Sequence, residues 1–140
     1  MALKATSNEV WTTVIDDRAG GAADVFEKLA SAKVNLEMVF ARRTPEQPGR
    51  GLMIVGQIKG KKAEQAALAA GLSKSTSMYG LRVEGGDKPG LGAKITRALG
   101  NAGISFRGLT AHAIGTKFVC NIALDNADDA ARAAAVLKKL

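Results

Sequence analysis

Two five-residue stretches hold the ligand chemistry this sequence has to offer. Asp17-Arg18-Ala19-Gly20-Gly21 and Asp87-Lys88-Pro89-Gly90-Leu91 each set an acidic and a basic residue ahead of a glycine, where an extended stretch gives way to a helical pattern. Glycine permits a sharp bend, and the bare N–H groups that open a helix attract anions such as a carboxylate. Asp17 and Asp87 are placed to cap the helix or to receive an ammonium group. A tight turn that binds nothing uses the same residue types, so both readings stand. Asn35 and its counterpart Ser105 follow the two helices. In a β-α-β unit such a residue begins the next strand, and its side chain is expected to face the same end of the sheet as the glycine turn. An amide that both donates and accepts suits the paired groups of an α-amino acid.

Candidates for catalysis are poor by comparison. Cys120 lies in Phe118-Val119-Cys120-Asn121-Ile122, where alternation puts it on the apolar face, as a buried thiol rather than a nucleophile. His112 has no acidic neighbour in sequence to make it a general base. One cysteine and one histidine exclude an internal disulfide and make a Cys/His zinc site implausible. No phosphate-loop or cofactor motif is present, so the expectation is a non-enzyme with no cofactor and no metal.

The elements that position the two turns come from an internal repeat. Shifted by 70, residues 17 to 39 lie over 87 to 109 without a gap, with five of 23 pairs identical and most apolar positions exchanging one aliphatic for another. Each copy reads in the same order. Val10 to Ile15 and Leu81 to Gly85 are strand-like stretches that run into the turns. Ala22, Val25, Phe26 and Leu29, and then Leu91, Ile95, Leu99 and Ala102, form apolar stripes at helical spacing. Leu36 to Arg43 with Leu52 to Lys59, and Phe106 to Ala113 with Lys117 to Leu124, read as strand pairs. The first hairpin is longer by five residues if Met53 answers to Phe118. Lys61 to Ala70 and Asn126 to Leu137 are second helices, the latter with Asn126 as its cap.

The order is that of a ferredoxin-like α+β sandwich used twice, with antiparallel sheets and helices on one face. Ser75 to Tyr79 is the candidate fourth strand of the first copy. The second copy ends directly after its helix and lacks a closing strand of its own; Leu3 to Ser7 or a partner chain is a candidate for that edge. The expected division is an N-terminal segment 1–8, a first domain 9–78 and a second domain 79–140.

The net charge of +7 divides as +3 for residues 1 to 78 and +4 for residues 79 to 140, so no basic tail stands out. RNA-binding sheets of this topology stack bases on exposed aromatics, and the two third-strand segments hold one aromatic, Phe118. A nucleic-acid module is therefore a minor alternative. No apolar run approaches the roughly 18 residues of a membrane span, and no secretion signal opens the chain, so a cytoplasmic protein with no membrane partner is expected.

The strand, the Asp-x-Pro-Gly turn or its variant at Asp17 to Gly20, the helix with Leu29 or Leu99, and then Ala32-Lys33-Val34-Asn35 or Ala102-Gly103-Ile104-Ser105 resemble the ACT domain, twice in tandem. The resemblance spans about Glu9 to Leu140. It implies a βαββαβ fold, side-by-side pairing of domains through their sheets, and regulatory binding of an amino acid at domain interfaces. By that likeness the ligand contacts are Asp17, Arg18, Gly20 and Gly21 with Asn35, and Asp87, Lys88, Gly90 and Leu91 with Ser105. Ala19 and Ser105 depart from the residues the family uses there. A homodimer and an enzyme of amino-acid metabolism are the expected partners. The alternative is a regulatory subunit of such an enzyme that does no sensing of its own.

Overall fold

The computed structural model describes residues 2–140. It is an α+β protein with six antiparallel strands and four helices: β1 (Lys4–Asp16), α1 (Gly21–Ser31), β2 (Met38–Arg43), β3 (Arg50–Gly56), α2 (Lys61–Ala69), β4 (Ser73–Gly86), α3 (Leu91–Asn101), β5 (Gly108–Ile114), β6 (Lys117–Leu124) and α4 (Ala127–Leu137). Contacts divide the chain into a first unit, Glu9–Ser75, and a second unit in which the residues up to Asn8 join Thr76–Leu140. No helix among the described residues is long and apolar enough to cross a membrane.

In the first unit the strand order is β2-β3-β1-β4. Alternation sends Trp11, Met53 and Val55 to the face covered by α1 and α2, where they pack with Val25, Leu29, Ala67 and Leu72. The opposite face carries Val14, Phe40, Leu52 and Ile54, and Val14 is 58% exposed. In the second unit the order is β1-β4-β6-β5. Leu81, Val83, Cys120, Ile122 and Leu124 meet Ile95, Leu99, Ala133 and Leu137 from α3 and α4. Its uncovered face is polar along the cross-strand row Arg82, Asn121 and Thr110.

Two strands are longer than the sequence pattern suggests. The stretches Ser75 to Tyr79 and Leu81 to Gly85 are one strand, β4, with no break at Gly80. Likewise β1 begins at Lys4 rather than Val10, and Leu3, just before it, and Ala5 near its start are buried in the second unit's core. Of the candidates for the open edge of the second copy, the N-terminal segment takes it. Leu3 and Ala5, the apolar residues of the segment named as a candidate for that edge, are the ones that seat it.

The register also corrects the hairpin length. Thr13 pairs with Met53, and its repeat equivalent Val83 pairs with Cys120. Met53 therefore answers to Cys120, not Phe118, and the Thr44–Gly49 loop adds three residues rather than five.

Both first helices end in the same way. In α1, the Val34 N–H donates to Leu29 O at 3.0 Å and the Lys33 N–H to Ala30 O at 2.9 Å; in α3, Ile104 donates to Leu99 at 2.9 Å and Gly103 to Gly100 at 3.0 Å. This helix-ending motif needs a left-handed residue, supplied by Gly103 at φ 72° and, against steric preference, by Lys33 at φ 59°. Asn126 caps α4 as expected, accepting from the Asp129 N–H at 2.8 Å.

Candidate functional site

In each unit the turn that leads from the first strand into the first helix, β1 to α1 and β4 to α3, is built on the same backbone plan. Gly20 and Gly90 sit at φ 87° and 85°, the left-handed region that favours glycine. The Asp17 N–H donates to Gly49 O at 3.0 Å, and the Asp87 N–H to Thr116 O at 2.9 Å, tying each turn to the hairpin of its own unit. The Gly21 N–H closes the first turn onto Arg18 O at 3.0 Å; Leu91 does so onto Lys88 O at 3.3 Å.

Those last bonds correct an expectation. The amides of Gly21 and Leu91 are used inside the turns and are not the donors for a carboxylate. Asp24 and Lys94 make the first helical bonds, onto Gly20 O and Gly90 O. A helix leaves its opening amides unserved, which here are those of Ala22 and Ala23 in α1, and of Gly92 and Ala93 in α3. Sequence reading missed these because alanine and glycine side chains announce nothing; only the observed start of each helix reveals them. A shallow, open depression beside the second set is lined by Ala93, Lys94, Thr96 and Arg97.

The close fit of the first turn explains its second glycine. A Cβ on Gly21 would overlap the carbonyl oxygen of Asp16. Leu91 holds the equivalent place in the second turn, where the closing bond is longer.

The side chains of the two turns differ more than their backbones. Asp17 Oδ2 accepts from Arg43 Nε at 2.6 Å, and Arg18 bonds Asp24 at 2.7 Å while lying 3.7 Å from Asp16. Arg50 completes the set with a 2.7 Å bond to Asp16. Arg43 and Arg50 lie outside the sequence-derived site, because only the sheet register brings these hairpin residues beside the turn. Around the second turn, among the described residues, neither Asp87 nor Lys88 has an ion-pair partner.

Asn35 and Ser105 are not where the β-α-β argument put them. Val10 lies opposite Gly56, which lies opposite Met38, whereas Asp16 lies opposite Arg50 at the other end of the sheet. Asn35 precedes Met38 and Asp17 follows Asp16. Six residues of strand at about 3.3 Å each put these two side chains roughly 20 Å apart. The second unit repeats the arrangement, with Ser105 ahead of Gly108 and Asp87 beyond Gly86. The cause is the parallel crossover: α1 and α3 run back along the sheet, so the residue after each helix starts at the far end. One small amino acid cannot touch Asp17 and Asn35 of the same unit.

The remaining reactive groups have no such setting. Cys120 is buried, and desolvation pushes its thiol up to about 11, away from the thiolate a nucleophile requires. His112 is exposed on β5 opposite Val119.

No protein-family model and no curated protein sequence matches the chain. Among solved structures, 99% of the chain is similar to the ligand-free regulatory subunit of aspartate kinase from Thermus thermophilus, covering 96% of it with a TM-score of 0.68 at 18% identity. It also matches protein BT0572 from Bacteroides thetaiotaomicron, with 98% and 99% covered, a TM-score of 0.73 and 18% identity. Aspartokinase III of E. coli, solved with aspartate and ADP, is matched over 32% of its length with a TM-score of 0.62 at 14% identity. The chain thus shares its fold with proteins that include regulatory subunits of aspartate kinase.

Proposed function

We propose that this chain is a non-catalytic regulatory protein made of two ACT-type units in tandem. It binds a small amino acid at interfaces between such units, in assembled copies of the chain, and couples that ligand to association or to an enzyme of amino-acid metabolism. The observation that carries the reading is the repeated turn. In each unit a left-handed glycine, a preceding aspartate and unserved helix-start amides stand together, with groups that complement an ammonium and a carboxylate. The similarity over nearly the whole chain to an aspartate kinase regulatory subunit supports the regulatory class. Asp17, Arg18 and Gly20 in one turn, and Asp87, Lys88 and Gly90 in the other, are the ligand-facing residues, with Gly21 and Leu91 shaping the turns. Asn35 and Ser105 meet a ligand held at a turn from a second copy. The exposed Val14 and Phe40 on the uncovered face of the first unit support such a homodimer.

A thermal-shift screen of the twenty protein amino acids at millimolar concentration tests the sensing role. Stabilisation by one of them supports it; stabilisation by none defeats free-standing sensing. In that case the second reading, a regulatory subunit without its own ligand, is favoured by the likeness to aspartate kinase subunits and is tested by co-purification with a kinase of amino-acid metabolism. The one aromatic of the third-strand segments, Phe118, is buried on the helix-covered face, which removes it as a base-stacking platform.

A further inference from the structure

The repeat offers an internal control for what the first turn has gained. Backbone geometry and the tie to the hairpin are shared, yet the ion pairs are not, and the equivalent positions in the second copy say why. Ala113 stands where the first copy has Arg43, Gly86 where it has Asp16, and Lys94 where it has Asp24. No partner for Asp87 or Lys88 comes from those places. Asp17, by contrast, is already bound to a cation from the last residue of β2, at 2.6 Å.

We propose that Arg43 is an internal competitor that sets the affinity of the first turn: its guanidinium occupies on Asp17 the position that the ammonium of an α-amino acid takes at Asp87. This rests on the functional reading above and deepens it. The two turns are then graded, the second filling first. Filling the first requires Arg43 to leave Asp17. The ion pair is then lost, leaving the Asp17 N–H bond to Gly49 O and the Arg50–Asp16 pair at the base of the turn, so ligation loosens the Thr44–Gly49 hairpin. A largely exposed pair is a weak competitor, so its effect on affinity is on the order of 5-fold, not a thousandfold.

The test uses the full chain with the second turn disabled by Asp87→Ala, each of the twenty protein amino acids titrated singly by calorimetry. Adding Arg43→Gln is expected to tighten binding of the amino acid that binds by about 5-fold, whereas Arg43→Lys, which keeps a cation, stays within about 2-fold of the parent. A purely structural Arg43 would weaken binding or leave it alone. Affinity that is unchanged or lowered by Arg43→Gln overturns the competitor role while leaving the sensing function intact. No binding of any amino acid to wild type or to Arg43→Gln overturns the functional reading and the competitor role with it. Hydrogen exchange gives a second readout: ligand added to the parent should speed exchange at Arg50, and Arg43→Gln should show the faster rate without ligand. Equal rates in both would also overturn the proposal.

Discussion

Leu3 fills the space that a side chain on Gly85 would need: a Cβ there would come within 2.6 Å of Leu3 Cδ2. A residue near the start of β1 and one near the end of β4 thus form a complementary large-small pair at the edge of the second unit's sheet. Leu3→Ala is expected to cost about 3 kcal/mol in urea unfolding, as a buried leucine truncation. Gly85→Ala should cost about 1 to 2 kcal/mol through overpacking. Combined, they should cost less than the sum, because the shortened Leu3 side chain makes room for the new methyl; strict additivity would show that the two residues are independent.

Two helical glycines in different surroundings should respond oppositely. Gly21→Ala forces a methyl onto the Asp16 carbonyl and should destabilise by about 2 kcal/mol. Gly100, inside α3, has nothing within 4 Å of an added Cβ. Gly100→Ala should therefore stabilise by about 1 kcal/mol through helix propensity. Thermal unfolding of the two variants checks the sign of each.

Lys33 holds a left-handed conformation that glycine occupies in the second copy. Lys33→Gly should stabilise the chain by about 1 kcal/mol, the strain relieved exceeding the extra freedom of the unfolded glycine. Gly103→Ala should destabilise by a similar amount. A drop in melting temperature for Lys33→Gly would mean the lysine side chain contributes something its backbone strain conceals.

Burial raises the Cys120 thiol from 9.0 to about 11. Between those values the folded state retains a proton that the unfolded state has released, so stability is complete below pH 9 and falls as pH rises toward 11. The loss is on the order of 2 to 3 kcal/mol at the end of that range. Cys120→Ala should remove this component, leaving a flatter stability curve above pH 9. At neutral pH the native thiol should react with a disulfide reagent only as fast as the chain opens.

What was legible in the sequence was whatever repeats or alternates locally. The copies at a spacing of 70 disclosed the two turns and the first helix of each unit, and strand alternation disclosed the buried side of Cys120. Non-local facts were not legible. Leu3 to Ser7 is separated by more than 60 residues from β4, so no local pattern could choose it over another edge partner. The position of Asn35 failed for a different reason: the two strands of a β-α-β unit run parallel, so the residue that opens the second lies at the end opposite the turn that leaves the first. Gly21 and Leu91 were placed at the right turn, yet which amides a turn uses internally is settled by hydrogen bonds rather than by residue type. Arg43 became visible only when the register put the end of β2 beside Asp17.

Because the second unit draws on residues at both ends of the chain, its assembly order is constrained during synthesis. Glu9–Ser75 is contiguous in sequence, while the residues up to Asn8 have no packing partner until Thr76–Leu140 has been made. A segment made before Glu9–Ser75 thus docks only with residues made after it. Until that moment, the β4 edge in the second unit stays open to a strand from another chain, and exchange of N-terminal segments between two nascent molecules becomes the characteristic misassembly of this architecture.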